Sequence, residues 1–246
     1  MLIAVLLSQC EKDDPQVTIP DNNFLNALIE LGVDIDGDGI ISPSEAEVIT
    51  SLDVSEDSIT DMTGIEAFIN LDTLICRSGQ LTTLDVSNNT ALEYLHCSSN
   101  QLTTLDVSNL DVLNVLYCRG NQLATLDVSN NTALTSIDCV GNQLTSLDVS
   151  NNTILLYFSC DNNQLASLDV TNLGSLGFLH CSGNQLTSLD ISNNLKFAKS
   201  RNCALDIGDM PGLEKVCVST LPFPPEGVGL CADGSPNVYF TTECSK

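Results

Sequence analysis

From Leu81 onward, apolar positions recur along the chain at one fixed spacing. LTTLDVSNNTALEYLHCSSNQ is followed by LTTLDVSNLDVLNVLYCRGNQ, LATLDVSNNTALTSIDCVGNQ, LTSLDVSNNTILLYFSCDNNQ and LASLDVTNLGSLGFLHCSGNQ, each 21 residues long, and LTSLDISNN begins a sixth copy. A looser copy runs from Ile59 to Gln80, and Leu52-Asp53-Val54-Ser55 echoes the LDVS half before it. Within each second half, L-x-x-L-x-C-x-x-N-x-L, residues such as Leu95 and Cys97 alternate with His96, the two-residue period of a strand with one buried side. A coil this short cannot bury its apolar side alone, so successive coils must stack around a continuous core. Asn100, Asn121, Asn142, Asn163 and Asn184 follow the strands, where a carboxamide can satisfy backbone groups freed at a turn. The connecting half has turn formers and short alternation but no helical period. It predicts extended segments and tight turns.

This pattern is the leucine-rich-repeat signature, with cysteine in the third apolar slot. The expected fold is a leucine-rich-repeat solenoid of short parallel strands with little helix in the repeats. A small α-helical cap precedes it and an irregular cap follows. The boundaries read as a lipoprotein-type signal and linker over 1–17, a helical cap over 18–48, repeats over 49–205 and a C-terminal cap over 206–246. In the helical cap, Phe24 to Leu31 has apolar residues at helical spacing, with Asp21 as N-cap and Gly32 as stop, and a second short helix should follow Pro43. After Leu205 the period fails, Gly and Pro rise, and Cys217, Cys231 and Cys244 appear at irregular spacing.

The opening Met1 to Cys10 is apolar, ends in a cysteine and is followed by Glu11-Lys12-Asp13-Asp14. It resembles a bacterial lipoprotein signal, in which Cys10 would carry the lipid and tether the protein to a membrane without crossing it. The TIPDNNF opening, the LTxLDVSNNTxLxxLxCxxNQ units and the EKVCVSTLPFPPEG tail resemble the secreted or surface leucine-rich-repeat proteins of Bacteroidetes, distantly similar to internalins. That resemblance implies extracellular binding or adhesion, at the outer-membrane surface or in secreted form.

Charge narrows the partners. The formal net charge is -24, from 32 acidic and 8 basic residues, and five of the basic ones lie beyond residue 195. So anionic a repeat region repels phosphate backbones, which argues against nucleic acid and favours cations or basic protein surfaces. No apolar run approaches the roughly 20 residues of a membrane helix, so the only membrane contact expected is a lipid anchor at Cys10.

One segment carries specific metal chemistry. Asp34-Ile35-Asp36-Gly37-Asp38-Gly39-Ile40-Ile41-Ser42-Pro43-Ser44-Glu45 matches the twelve-residue EF-hand loop: carboxylates at positions 1, 3 and 5 (Asp34, Asp36, Asp38), glycine at 6 (Gly39) and glutamate at 12 (Glu45). Ile40 would supply a carbonyl and Ser42 a hydroxyl or a bridging water. The expected ion is calcium, held as a structural clamp on the cap.

Other titratable groups give no catalytic constellation. Cys76, Cys97, Cys118, Cys139, Cys160 and Cys181 should stack as a ladder of core thiols. The connectivity of Cys203, Cys217, Cys231 and Cys244 is not readable. Asp85, Asp106, Asp127, Asp148, Asp169 and Asp190 form an outward ladder suited to bonding turns, with cation binding as the alternative. His96 and His180 stand four coils apart, roughly 19 Å, and each faces away from its neighbouring cysteine. No G-x-S-x-G, H-E-x-x-H or phosphate-binding glycine loop occurs, and no enzyme is expected.

The copies differ mainly at outward strand positions. One row carries Thr73, Tyr94, Val115, Ser136, Tyr157 and Phe178. The next carries Ile75, His96, Tyr117, Asp138, Ser159 and His180, and a third carries Arg77, Ser98, Arg119, Val140, Asp161 and Ser182. A chain with 4% aromatics that gathers them on one sheet face has the composition of a recognition surface. The candidate ligand-binding residues are therefore Tyr94, His96, Tyr117, Arg119, Asp138, Tyr157, Phe178 and His180. An extracellular protein is the expected ligand of a monomeric chain. A carbohydrate ligand and a purely structural envelope role are the alternatives.

Overall fold

A computed structural model describes residues 15–55, 58–194, 196–199 and 203–244. The lipidation call at Cys10 lies outside the described residues. Helix α1 spans Asn22–Glu30 and buries Phe24, Ala27 and Leu28, the i, i+3, i+4 face expected of an amphipathic helix. It starts two residues before Phe24 because the Asp21 carboxylate accepts from Asn23 N at 2.8 Å and Phe24 N at 3.2 Å. The other Asp21 oxygen accepts from Thr60 N, Thr60 Oγ1 and Asp61 N at 2.8, 2.7 and 3.1 Å, tying the helix to the first coil. Burial alone would raise this carboxyl, but the Thr60 and helix N–H bonds outweigh it and hold it down at about 2. Gly32, at φ +77°, ends the helix. Helix α2, Pro43–Ala46, begins with a proline in its first turn and is closed by a reciprocal capping box between Ser42 and Glu45.

The repeats form one parallel sheet, with each coil adding one strand. β1 (Ser51–Asp53), β2 (Thr73–Ile75), β3 (Tyr94–His96), β4 (Val115–Tyr117), β5 (Ser136–Asp138), β6 (Tyr157–Ser159) and β7 (Phe178–His180) pair in sequence order. Register is strict: Leu52, Leu74, Leu95, Leu116, Ile137, Phe158 and Leu179 are successive partners, all buried. The pairing corrects one expectation. Leu52-Asp53-Val54-Ser55 occupies the sheet strand opposite Leu74 and Ile75, and not the LDVS position of the outer half. Val54 takes the slot that later coils give to cysteine, because a buried apolar side chain of similar size satisfies it equally.

Two asparagine ladders hold the coils together, and they differ in kind. In the first, Asn142 Nδ2 donates to Cys118 O of the preceding coil at 3.1 Å and to Cys139 O of its own at 3.0 Å, while Oδ1 accepts from Leu123 N at 3.0 Å. Asn100, Asn121, Asn163 and Asn184 repeat this arrangement. In the second, Asn131 Nδ2 donates to Val107 O and Leu110 O at 2.8 and 2.9 Å, but no described residue donates to its buried Oδ1. Only in this second ladder do two coils substitute leucine, Leu110 and Leu173, both buried. A carboxamide that accepts nothing costs less to lose than one that satisfies a buried N–H, and the first ladder is unbroken from Asn100 to Asn184, with Gly79 at the equivalent position of the looser copy before it. On the outer half the aspartate ladder makes local turns: Asp85, Asp106, Asp127 and Asp148 each accept from the serine N–H two residues on at 2.9 Å, and Asp169 and Asp190 do the same with Thr171 and Ser192.

The stack does not stop at residue 205, where the sequence predicts the change to an irregular cap. β9 (Leu205–Asp206) pairs with β7, and β11 (Leu230–Cys231) pairs with β9, extending the sheet to nine strands among the described residues. On the outer side β8 (Ser188–Asp190), β10 (Lys215–Cys217) and β12 (Tyr239–Thr241) form a second parallel sheet. These terminal coils are several residues longer than 21, so a fixed period misses them while the buried Leu205 and Val216 keep the core in step. Each sheet end carries a disulfide, Cys203–Cys231 for the inner sheet and Cys217–Cys244 for the outer. Closing loops of this length removes roughly 3 kcal/mol of unfolded-state entropy per bond.

The two ladders predict different costs for one substitution. Asn142→Leu strands Leu123 N and two carbonyls and should destabilise by about 3 kcal/mol or more, whereas Asn131→Leu should cost about 1 kcal/mol or less. Chemical denaturation of the two variants checks this, and equal losses would contradict it.

Candidate binding face and cation loop

Strict register turns a sequence pattern into rows on the concave sheet. Parallel strands sit about 4.8 Å apart, so outward side chains at equivalent positions touch along the solenoid. Tyr94, His96 and Tyr117 form one cluster, with ring centroids 6.4, 5.8 and 5.5 Å apart. Tyr157, Phe178 and His180 form a second, with Tyr157 at 6.2 Å from Phe178 and 5.7 Å from His180. Most of these contacts are edge-on, the favourable arrangement for aromatic quadrupoles. Ser136 and Asp138 on β5 separate the clusters. All six rings are partly buried, which lifts the Tyr94 and Tyr157 hydroxyls above their ordinary range through loss of solvent. His180 is also tied down, its Nε2–H donating to the Cys203 carbonyl at 2.7 Å.

The third predicted row belongs only in part to this face. Arg77 and Arg119 are exposed, but Ser98 and Val140 are buried, as is Ser159 in the second row. The position after a core cysteine thus ranges from exposed at Arg77 and Arg119, through half-buried at Asp161 and Ser182, to buried at Ser98 and Val140. Asp161 Oδ1 accepts from Ser182 N at 2.7 Å and Ser182 Oγ at 3.0 Å on the following coil, and burial raises its carboxyl.

Two features of the face escape the sequence pattern. Asp53 and Asp206 join the row of His96, Tyr117, Asp138 and His180, because β1 and β9 fall in register with it. Leu156, 53% exposed, forms with Tyr117, Ser136, Tyr157, Phe178 and Lys196 an open cleft of about 550 Å³. The available signal was an apolar residue in a slot where earlier coils place Glu93, Asn114 and Thr135.

In the N-terminal loop, Asp34, Asp36 and Asp38 bring carboxylate oxygens within 4.8 Å of one another. The loop folds around them: Asp34 accepts from Gly37 N and Gly39 N, Asp36 from Asp38 N, and Asp38 from Ile40 N. Gly37 and Gly39 take positive φ, +75° and +85°, conformations that a side chain would strain. Ile40, Ser42 and Glu45 line the same concavity as Asp36 and Asp38. Glu45 stands apart from the three aspartates, its Oε1 accepting from Ile35 N at 2.7 Å and its Oε2 from Ser42 N and Oγ at 2.8 Å. The Ser42 N–H is the main reason its carboxyl sits below its ordinary range. Three clustered carboxylates, a carbonyl and a nearby hydroxyl are hard oxygen donors of the kind calcium takes. Glu45 would join them by exchanging its N–H partners for the ion.

The thiols offer no nucleophile. Cys76, Cys97, Cys118, Cys139, Cys160 and Cys181 are free and buried, and burial pushes the Cys97 thiol up to about 12. His96 points out of the sheet while Cys97 is fully buried, so the adjacent pair cannot act together. His96 itself is held below its ordinary value of 6.5, first by desolvation and then by the Arg77 charge. The folded state therefore favours the neutral ring, and acidification through the ordinary histidine range should cost stability. An NMR titration should place the His96 midpoint below 6.5, and Arg77→Ala should raise it. An unchanged midpoint in that variant would remove the charge contribution.

No protein-family model matches the chain. Over 71 residues, 29% of this chain and 8% of the relative, it is 44% identical to Internalin J of Listeria monocytogenes serotype 4b (strain F2365). The match thus spans less than a tenth of that relative's length. Among solved structures, internalin C2 of Listeria monocytogenes superposes with a TM-score of 0.62 at 22% identity, covering 90% of this chain and 94% of that one. A leucine-rich-repeat protein of Leptospira interrogans gives a TM-score of 0.57 at 25% identity, covering 81% of this chain and 52% of that one. Among the described residues no helix is long and apolar enough to cross a membrane. The chain is a leucine-rich-repeat solenoid, similar to internalins in its repeats and its fold.

Proposed function

We propose that the chain is a non-enzymatic binding module of the cell surface or secreted space that takes a protein partner on its concave sheet. The observation that carries this reading is the pair of aromatic and histidine clusters, Tyr94/His96/Tyr117 and Tyr157/Phe178/His180, outward-facing on a sheet whose other side is packed core. Rings fixed by their neighbours present apolar area at small entropic cost, the property of interface anchors. The Leu156 cleft adds an exposed apolar edge. The backbone beneath is a rigid ladder, so the face can change residue by residue without changing the fold. The variant Tyr94→Ala, Tyr117→Ala, Tyr157→Ala should lose at least about 100-fold in affinity for a partner captured by the intact chain, with its circular dichroism retained. Undiminished binding would move the site off this face.

The second element of the proposal is calcium in the Asp34–Glu45 loop. The ion would neutralise Asp34, Asp36 and Asp38 and draw on Ile40, Ser42 and Glu45, stiffening the link between α1 and α2 where they cover the first coil. Thermal unfolding in saturating calcium should lie about 5 °C above that in excess chelator. The variant Asp34→Ala, Asp38→Ala should abolish the difference. Coincident midpoints for the unaltered chain would dismiss the clamp.

A further inference from the structure

The second outward row of the sheet runs Asp53, Ile75, His96, Tyr117, Asp138, Ser159, His180, Asp206. Carboxylates stand at its start, in its middle and at Asp206, with rings between them, and beyond Asp206 the disulfide-bonded Cys231 continues the row. At about 4.8 Å per coil, Asp138 lies roughly 19 Å from Asp53 and roughly 14 Å from Asp206. The middle position is the best furnished. Tyr117 is the in-register neighbour of Asp138, and Tyr157 pairs with Ser136, two residues back on the strand of Asp138. Tyr117, Ser136 and Tyr157 line one cleft, and the Ser136 hydroxyl reaches the Tyr117 hydroxyl at 3.3 Å. Among the described residues the Asp138 carboxylate accepts one hydrogen bond, from Val140 N to Oδ1 at 3.1 Å. That bond orients the group and uses one oxygen only.

Charge selects what would sit there. The exposed Arg77 and Arg119 flank the N-terminal half of the row, Arg119 two residues beyond Tyr117, the in-register partner of Asp138. Lys196 also lines the cleft, with its backbone carbonyl beside Gly177. A single carboxylate on the strand that pairs with those of Tyr117 and Tyr157 cannot supply the six to eight oxygens of a calcium site, but it matches a side chain with a charged head and a flat or apolar stem. Rings attract such a cation within about 6 Å of their centroids, and the net charge of -24 draws basic partners from a distance.

We infer, given a binding role for the concave face, that Tyr117, Asp138 and Tyr157 form a recognition site for an arginine or lysine side chain of a protein partner. Asp138 takes the charged N–H groups, and the two rings take the guanidinium face or the lysine stem. Asp53 and Asp206 extend the same preference along the row, so the partner presents basic residues spread over its contact surface. A neutral sugar could stack on the rings but would gain little from carboxylates spaced along the row.

The test is an NMR titration of the full chain, in calcium, with an arginine-containing pentapeptide and with the same peptide carrying neutral citrulline. The arginine peptide should shift Tyr117, Asp138 and Tyr157, and citrulline should bind roughly tenfold more weakly. Asp138→Asn keeps an acceptor for Val140 N and should also weaken the arginine peptide roughly tenfold at unchanged melting temperature, while Asp106→Asn on the outer edge should not. Equal binding of citrulline, no effect of Asp138→Asn, or shifts confined to the Asp85 to Asp190 edge would overturn the cation site. If maltohexaose shifts the tyrosines while the arginine peptide does not, the cation site falls and the concave binding face stands. If no probe shifts them and the triple tyrosine variant still captures its partner, both fall.

Discussion

From β2 to β7 each coil is held to the next by a buried carboxamide. The side chains of Asn100, Asn121, Asn142, Asn163 and Asn184 bridge carbonyls of two coils and accept an N–H from the coil before. The backbone must turn sharply at this point while staying inside the core, where an unpartnered peptide group costs about 1–3 kcal/mol. Each carboxamide removes three such costs at once. That is why leucine replaces the outer-turn asparagine at Leu110 and Leu173 but never this one, and why strand register carries through the stack without slippage.

Register in turn creates the surface. With Leu, Ile or Phe locked inward at every strand centre, the flanking positions become two columns whose members touch from coil to coil. Tyr94 meets Tyr117, and Tyr157 meets Phe178, across strands that are 21 residues apart in the chain. A solenoid therefore separates two demands that compete in a globular domain: the inner face is committed to packing, and the outer columns are free to carry chemistry. The burial of Ser98, Val140 and Ser159 marks where that freedom ends.

The ends need different physics, since a stack has two faces that no coil covers. At the N-terminus Asp21 caps α1 with one oxygen and grips Thr60 and Asp61 with the other, so one carboxylate joins helix to coil. At the C-terminus the coils lengthen, lose the cysteine ladder and take on the Cys203–Cys231 and Cys217–Cys244 bonds. Covalent links supply there what a further coil supplies elsewhere.

The sequence by itself determined the repeat length, the strand positions, the inward cysteine ladder, the two cap helices and the residues of the acidic loop. Each depends on contacts local in the chain or repeated at one period, which a single chain displays openly. Only the tertiary structure decided that Asp53 and Asp206 share a row with Asp138, that Leu156 opens a cleft beside Tyr157, and that Glu45 holds backbone N–H groups apart from Asp34, Asp36 and Asp38. It also decided that the stack runs on past Leu205. The Glu45 bonds depend on how its own loop closes on the Ser42 capping box; the others depend on which strand pairs with which, and pairing is set by burying Leu52 and Leu205 against their neighbours. Spacing alone does not show it once the period changes, because the core selects side chains for shape and solvent exclusion and is indifferent to how many residues lie in the loop between them.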